Sequence, residues 1–113
     1  MTLPLQRLGD DLSVAPQLTP DAMAEAAAAG FRSVVNNRPD HEGGPEQPTS
    51  DSMAAAARAA GLEYVFQPVS PSVQTPQDIA RFQELLRTLP TPILAFCRTG
   101  TRSGKLYRAA TSG

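Results

Sequence analysis

The sequence predicts an α/β domain in which a small, mainly parallel sheet is flanked by helices. Short β-branched or apolar runs alternate along the chain with Ala- or Leu-rich helical stretches, the pattern of strand–helix–strand units. One run, Ile93-Leu94-Ala95-Phe96, is continuously apolar, as a strand covered on both faces must be. Glycines, prolines and hydroxyl residues fall where helices would start and stop. The 113 residues are 41% hydrophobic and 19% charged, which suits one domain over 1–113 with a core of its own.

The elements follow in order. Apolar runs at 5–8 and 12–15 flank Gly9-Asp10-Asp11 and predict a hairpin. Thr19-Pro20-Asp21 reads as a helix start, with Thr19 as N-cap and Pro20 in the first turn. The Ala-rich helix that follows is closed by Gly30. Arg32-Ser33-Val34-Val35-Asn36 reads as a strand. Residues 37–50 (NRPDHEGGPEQPTS) lack periodicity and are rich in Pro, Gly and acids, a loop long enough to carry function. A second Ala-rich helix over 50–60 ends at Gly61, and 63–67 reads as a strand. After a loop at 70–75, Thr75 and Asp78 form a T-x-x-D helix start ahead of the stripe Ile79, Phe82, Leu85, Leu86 and Leu89. The strand 93–96 leads into Cys97-Arg98-Thr99-Gly100-Thr101-Arg102-Ser103 and a last helix to Ala110, whose Leu106 and Tyr107 face the core.

Composition excludes several functions. A net charge of −1 provides no basic surface for nucleic acid or an anionic membrane. No apolar run is long enough to cross a bilayer, and MTLPLQRLGDD lacks the apolar core of a signal peptide, so a cytoplasmic location is expected. One cysteine permits no internal disulfide, and one histidine beside it permits no Cys/His metal cluster. No metal and no cofactor are expected.

The chemistry concentrates at Cys97. An apolar strand, a cysteine, a short Gly-containing turn and a helix put the sulfur at the carboxyl end of a central strand, where open α/β sheets place ligands. Free N–H groups at the helix start favour an anion there, and thiolate over thiol. Gly100 lets the backbone curl. Arg102 is placed to return its guanidinium across the loop and grip an oxyanion. Thr101 or Ser103 could donate a hydroxyl hydrogen bond to the sulfur or to a leaving group. Each feature alone has a plain structural reading: a lone Cys after a strand is usually a small buried hydrophobe. Their conjunction within six positions, Cys97 to Arg102, points to a nucleophile in an anion-binding loop. Arg38, Asp40 and His41, in the long loop, are auxiliary candidates: Arg38 as a cation or a turn cap, Asp40 or His41 as a proton donor, against the reading of a solvated acidic loop. Asp78 reads as a capping residue.

The Cys97–Ser103 loop resembles the active-site loop of single-domain rhodaneses, C-R-S-G-x-R-S. Leu18-Thr19-Pro20-Asp21, Ala29-Gly30-Phe31 and Val34-Val35-Asn36-Asn37-Arg38 resemble compact dual-specificity phosphatases. Together they resemble the bacterial beta-lactamase hydrolase-like protein, phosphatase-like domain family, over nearly the whole chain. The resemblance implies the protein tyrosine phosphatase superfamily fold, Cys97 as nucleophile, the backbone of Arg98, Thr99, Gly100, Thr101 and Arg102 as anion cradle, and Arg102 as the anion-binding arginine. It also implies a longer last helix than this sequence contains, and association with a metallo-beta-lactamase-fold persulfide dioxygenase.

Two departures bear on the reaction. The spacing is C-x4-R, one residue shorter than in protein tyrosine phosphatases. The loop that would carry a dual-specificity phosphatase's general acid, Pro68-Val69-Ser70-Pro71-Ser72-Val73-Gln74, has no carboxylate. Both favour sulfur transfer: Cys97 takes sulfur from a small anionic or sulfane-sulfur substrate and passes it from a persulfide to a thiol acceptor. The alternatives are phosphate-ester hydrolysis through a phosphocysteine, and a non-catalytic anion-binding regulatory module.

Overall fold

The computed structural model describes residues 3–112. Five strands and four helices follow in order: β1 (Gln6–Arg7), β2 (Leu12–Ala15), α1 (Ala22–Ala28), β3 (Ser33–Asn36), α2 (Ser50–Ala59), β4 (Glu63–Phe66), α3 (Pro76–Thr88), β5 (Ile93–Phe96) and α4 (Thr101–Thr111). They build one sheet in the order β1-β2-β5-β3-β4. Only β1 is antiparallel; β2, β5, β3 and β4 run parallel.

The continuous apolar run is the centre of the sheet. All four residues of β5 are buried, and Ala95 stands in register with Val14 of β2 and Val35 of β3. Alternate residues face opposite sides. Val34, Leu94 and Phe96 pack with Met23, Ala26, Met53 and Ala57 of α1 and α2. Val14, Val35, Ile93 and Ala95 pack with Phe82, Leu85 and Leu106 of α3 and α4. The result is three layers with a core on each face of the sheet.

Local chemistry sets the helix ends. Thr75 accepts a hydrogen bond from Asp78 N (3.1 Å) while Asp78 accepts from Thr75 N (2.9 Å), the reciprocal box expected from T-x-x-D. Gly30 takes φ +100°, the left-handed conformation that closes a helix. The start of α1 differs from expectation. The helix begins at Ala22, and Asp21 caps it without a side-chain bond. The carbonyls of Thr19 and Pro20 accept from Ala22 N (3.0 Å) and Met23 N (3.1 Å), so a backbone turn does what the Thr19 hydroxyl was expected to do.

Because four strands run parallel, the segments after β2, β3, β4 and β5 all emerge at one edge, and these segments build the site. Phe82 is fully buried between α3 and the sheet. Phe82→Ala should therefore cost about 3–5 kcal/mol, a large part of a small domain's stability. Urea unfolding checks this; a loss below about 1 kcal/mol would show that the α3 layer contributes little to the core.

Candidate active site

Cys97 follows β5 directly and continues its pairing with β2. Its N–H donates to Ala15 O (3.3 Å), and Gln17 N donates to Arg98 O (3.2 Å) before the chains part. The loop then turns at Gly100, at φ +90°, where a Cβ would sit 3.4 Å from the Ala15 carbonyl carbon. A side chain there would be strained by the dihedral, although its Cβ would meet the neighbouring backbone only at ordinary contact distance. This turn aims the Gly100 N–H at Cys97 Sγ, 3.1 Å away. Within α4, Gly104 N donates to Gly100 O (2.9 Å). The N–H groups of the preceding first turn have no intrahelical acceptor, and with the helix dipole they offer positive potential to an anion. Cys97 is 1% exposed, at the floor of this turn.

Arg102 lies in the first turn of α4 and folds back under the loop. Its Nη1 donates to Val69 O (3.1 Å) and to Asn37 O (3.4 Å). Its Nη2 reaches both carboxylate oxygens of Glu42, at 3.0 and 3.1 Å. Its Nε is buried without a partner among the described residues. The guanidinium is thus fixed through both terminal nitrogens, and Nε–H is left without an acceptor among the described residues.

Glu42 was passed over by the sequence reading, yet it is the charge partner of the site. It bridges Arg102 and Arg38, whose Nε lies 2.8 Å from Glu42 Oε2. Its backbone is open to solvent, but its side chain is 19% exposed, against 9% for each arginine. Partial burial alone would push the Glu42 carboxyl up. Hydrogen bonds and charge from Arg102 and Arg38 outweigh that and hold its pKa below the ordinary carboxylate value. The only hint in the sequence was an acid four residues after Arg38 in a loop at the correct sheet edge.

The other candidates sort clearly. An open cleft of about 400 Å³ above Cys97 is lined by Arg98, Thr99, Thr101, Arg102 and Lys105 on one side and by Ser70, Pro71, Ser72, Val73 and Gln74 on the other. Lys105, one turn beyond Arg102, was not anticipated. Ser103 does not reach the sulfur: its buried hydroxyl donates to Asn37 Oδ1 (2.8 Å), and Asn37 Nδ2 donates to Gln67 O (3.0 Å). The sulfur's donor is the Gly100 N–H instead. Arg38 does not line the cleft; it pairs with Glu42 and donates to Gln17 Oε1 (3.2 Å). Asn36 Oδ1 accepts from Arg38 N (2.9 Å), an Asx-type bond that ties down the start of the loop. Asp40 and His41 are not poised as acids over the sulfur. Asp40 Oδ1 accepts from Ser50 N (2.7 Å) at the start of α2, and exposed His41 sits at φ +68° in the loop's turn.

The lowered pKa of Glu42 fixes the sign of a pH effect. Its charge stabilises the fold above the ordinary carboxylate value, about 4.3, and that contribution is lost as pH falls through the depressed folded value. Glu42→Gln should cost about 1–2 kcal/mol at pH 7, between the worth of exposed and buried pairs. The gap between variant and wild type should close on acidification toward pH 3 in urea unfolding. A constant gap would mean that the charge of Glu42 does not matter.

Comparison with known proteins agrees with this fold. The profile of the family described as beta-lactamase hydrolase-like protein, phosphatase-like domain, matches residues 4–113. A beta-lactamase hydrolase-like protein of Xylella fastidiosa (strain Temecula1) is 40% identical over 100 residues, 88% of this chain and 23% of that protein. This chain thus spans less than a quarter of that relative's length. The crystal structure of a candidate phosphatase from Neisseria meningitidis Z2491 superposes with a TM-score of 0.86 at 31% identity, over 94% of this chain and 75% of that one. At 16% identity, where likeness speaks for fold alone, Pseudomonas aeruginosa TpbA in complex with phosphotyrosine gives a TM-score of 0.69, over 94% of this chain and 62% of that one. The fold is that of the protein tyrosine phosphatase and dual-specificity phosphatase group. Matched along this length and by relatives of that name, the chain belongs to the phosphatase-like domain family of the beta-lactamase hydrolase-like proteins.

Proposed function

We propose that this chain is a phosphatase-type hydrolase working through a phosphocysteine at Cys97. The observation that carries the reading is the cleft: a cysteine sulfur on its floor, an N–H donor on that sulfur, and, among the described residues, Arg98, Arg102 and Lys105 as its only charged lining. The phosphatase-like family and fold support it. The order of the two enzymatic readings therefore reverses: hydrolysis comes first and sulfur transfer second. The C-x4-R spacing does not forbid a phosphoryl group, since a cleft of about 400 Å³ has room for one and Arg102, whose Nε–H has no acceptor among the described residues, lines it.

The steps follow from the residues. The Cys97 thiolate attacks phosphorus, an S–P bond forms, and the P–O bond breaks with its electron pair leaving on oxygen. Arg102 and the loop N–H groups hold the equatorial oxygens, with donors already fixed where charge collects. Water then attacks phosphorus, the S–P bond breaks, and phosphate leaves as the thiolate is restored.

One observation favours the second reading. No carboxylate lines the cleft among the described residues. Sulfur transfer needs none, because its leaving groups are sulfur anions. With one cysteine in the chain, a Cys97 persulfide would pass its sulfur to an external thiol. A metallo-beta-lactamase-fold persulfide dioxygenase would be a suitable partner in that case.

A paired assay separates the readings: phosphate release from an aryl phosphate against thiocyanate formation from thiosulfate and cyanide. Wild type should release phosphate, Cys97→Ser should release none, and Arg102→Lys should lose about 10²–10³-fold in kcat/KM, because an ammonium cannot reproduce the guanidinium fork. Cys97-dependent thiocyanate without phosphate would overturn hydrolysis and establish sulfur transfer. Inactivity in both assays would leave a non-catalytic anion-binding module.

A further inference from the structure

We infer that this site selects phosphate compounds whose leaving group departs as a stable anion, namely aryl phosphates, acyl phosphates and phosphoanhydrides, and discriminates against alkyl phosphates such as phosphoserine. The inference rests on the phosphatase reading and adds the substrate class.

It follows from where the nearby carboxyl groups are held. The segment facing Cys97 across the cleft is Ser70-Pro71-Ser72-Val73-Gln74, without a carboxyl group. That segment is tied at both ends to Arg102. Val69 O accepts from Arg102 Nη1 (3.1 Å), and Gln74 Nε2 donates to Arg102 O (2.9 Å). Its middle is closed by Ser70 Oγ, which accepts from Ser72 N (3.2 Å) and Val73 N (3.3 Å). A segment held this way has little freedom to swing a distant acid into place.

The carboxylates of the neighbouring loops are committed elsewhere. Glu42 sits between two guanidinium groups, and Asp78 is closed in its capping box with Thr75. Asp40 accepts from the backbone of α2. Arg98 and Lys105 supply charge to a departing anion, which helps a phenolate, carboxylate or phosphate leave, while an ammonium or guanidinium is a far weaker acid than the carboxyl group that usually protonates an alkoxide. In the first step the S–P bond forms as P–O breaks. The leaving oxygen keeps the electron pair and takes a proton, if at all, from solvent after departure.

A positioned acid contributes about 10²–10⁴-fold to such a step. Its absence should therefore appear as a dependence on leaving group. The test measures kcat/KM of the wild-type chain on 4-nitrophenyl phosphate, phenyl phosphate, acetyl phosphate, pyrophosphate and O-phosphoserine, with Cys97→Ser as the blank. We expect phenyl phosphate to lie about 10²-fold or more below 4-nitrophenyl phosphate and phosphoserine lower still. Acetyl phosphate or pyrophosphate should stand with the nitrophenyl ester, and whichever is faster names the class of natural substrate. A Cys97-dependent series flat within about tenfold would overturn the inference and leave the phosphatase reading intact, since an acid would then be at work. No turnover of any compound, with wild-type circular dichroism and Cys97 alkylated by iodoacetamide, would remove both.

Discussion

A guanidinium can be buried beside a cysteine sulfur only if its charge is balanced and most of its donors are filled, and of the Arg102 nitrogens only Nε lacks an acceptor among the described residues. Taking an ion of this size out of water costs several kcal/mol even after relaxation, and Arg102 is 9% exposed. Much of the site's architecture answers that cost. Glu42 supplies the counter-charge, and the carbonyls of Asn37 and Val69 accept from Nη1. These groups come from the segments after β3 and β4, so they meet Arg102 only because β3, β4 and β5 run parallel and end at one edge. Arg38 then holds Glu42 from the other side, and Asn37 receives the Ser103 hydroxyl one residue along α4. The same bonds that bury the arginine lock the loop that carries Cys97.

The parts of this structure written in local signals were legible in the sequence. Ile93 to Phe96 could only be a central strand, Gly30 closes α1, and Thr75 with Asp78 starts α3, because each depends on a few neighbouring residues. Cys97, Gly100 and Arg102 were legible for the same reason: strand, turn and helix start are contiguous. What was not legible depended on distance. Glu42 and Arg102 are 60 residues apart, and nothing in a Pro- and Gly-rich loop states which of its acids will turn inward. Asp40 and His41 were the more conspicuous choices. The chain instead spends Asp40 on the start of α2 and places His41 at a left-handed turn, which brings Glu42 around to the arginines. Ser103 misled for a related reason. One position along a helix rotates a side chain by about 100°, enough to carry its hydroxyl from the sulfur to Asn37.

The charge distribution links this architecture to the chemistry. The chain as a whole carries −1, yet the charged residues lining the cleft are all cations. Acids are plentiful in the neighbouring loop, but the ones near the site face arginines or helix starts rather than the sulfur. The cleft is therefore strong in holding an anion and in stabilising negative charge that develops there, and poor in moving protons. Phosphoryl transfer to sulfur and sulfane transfer to sulfur both fit that description, because each needs a thiolate, a cradle of N–H groups and a leaving group that tolerates its charge. The fold and the size of the cleft incline the site toward a tetrahedral oxyanion. In the proposed hydrolysis, the lack of a carboxyl group in the lining among the described residues would limit which oxyanion esters the site opens, so the charges proposed to serve Cys97 would also bound its substrates.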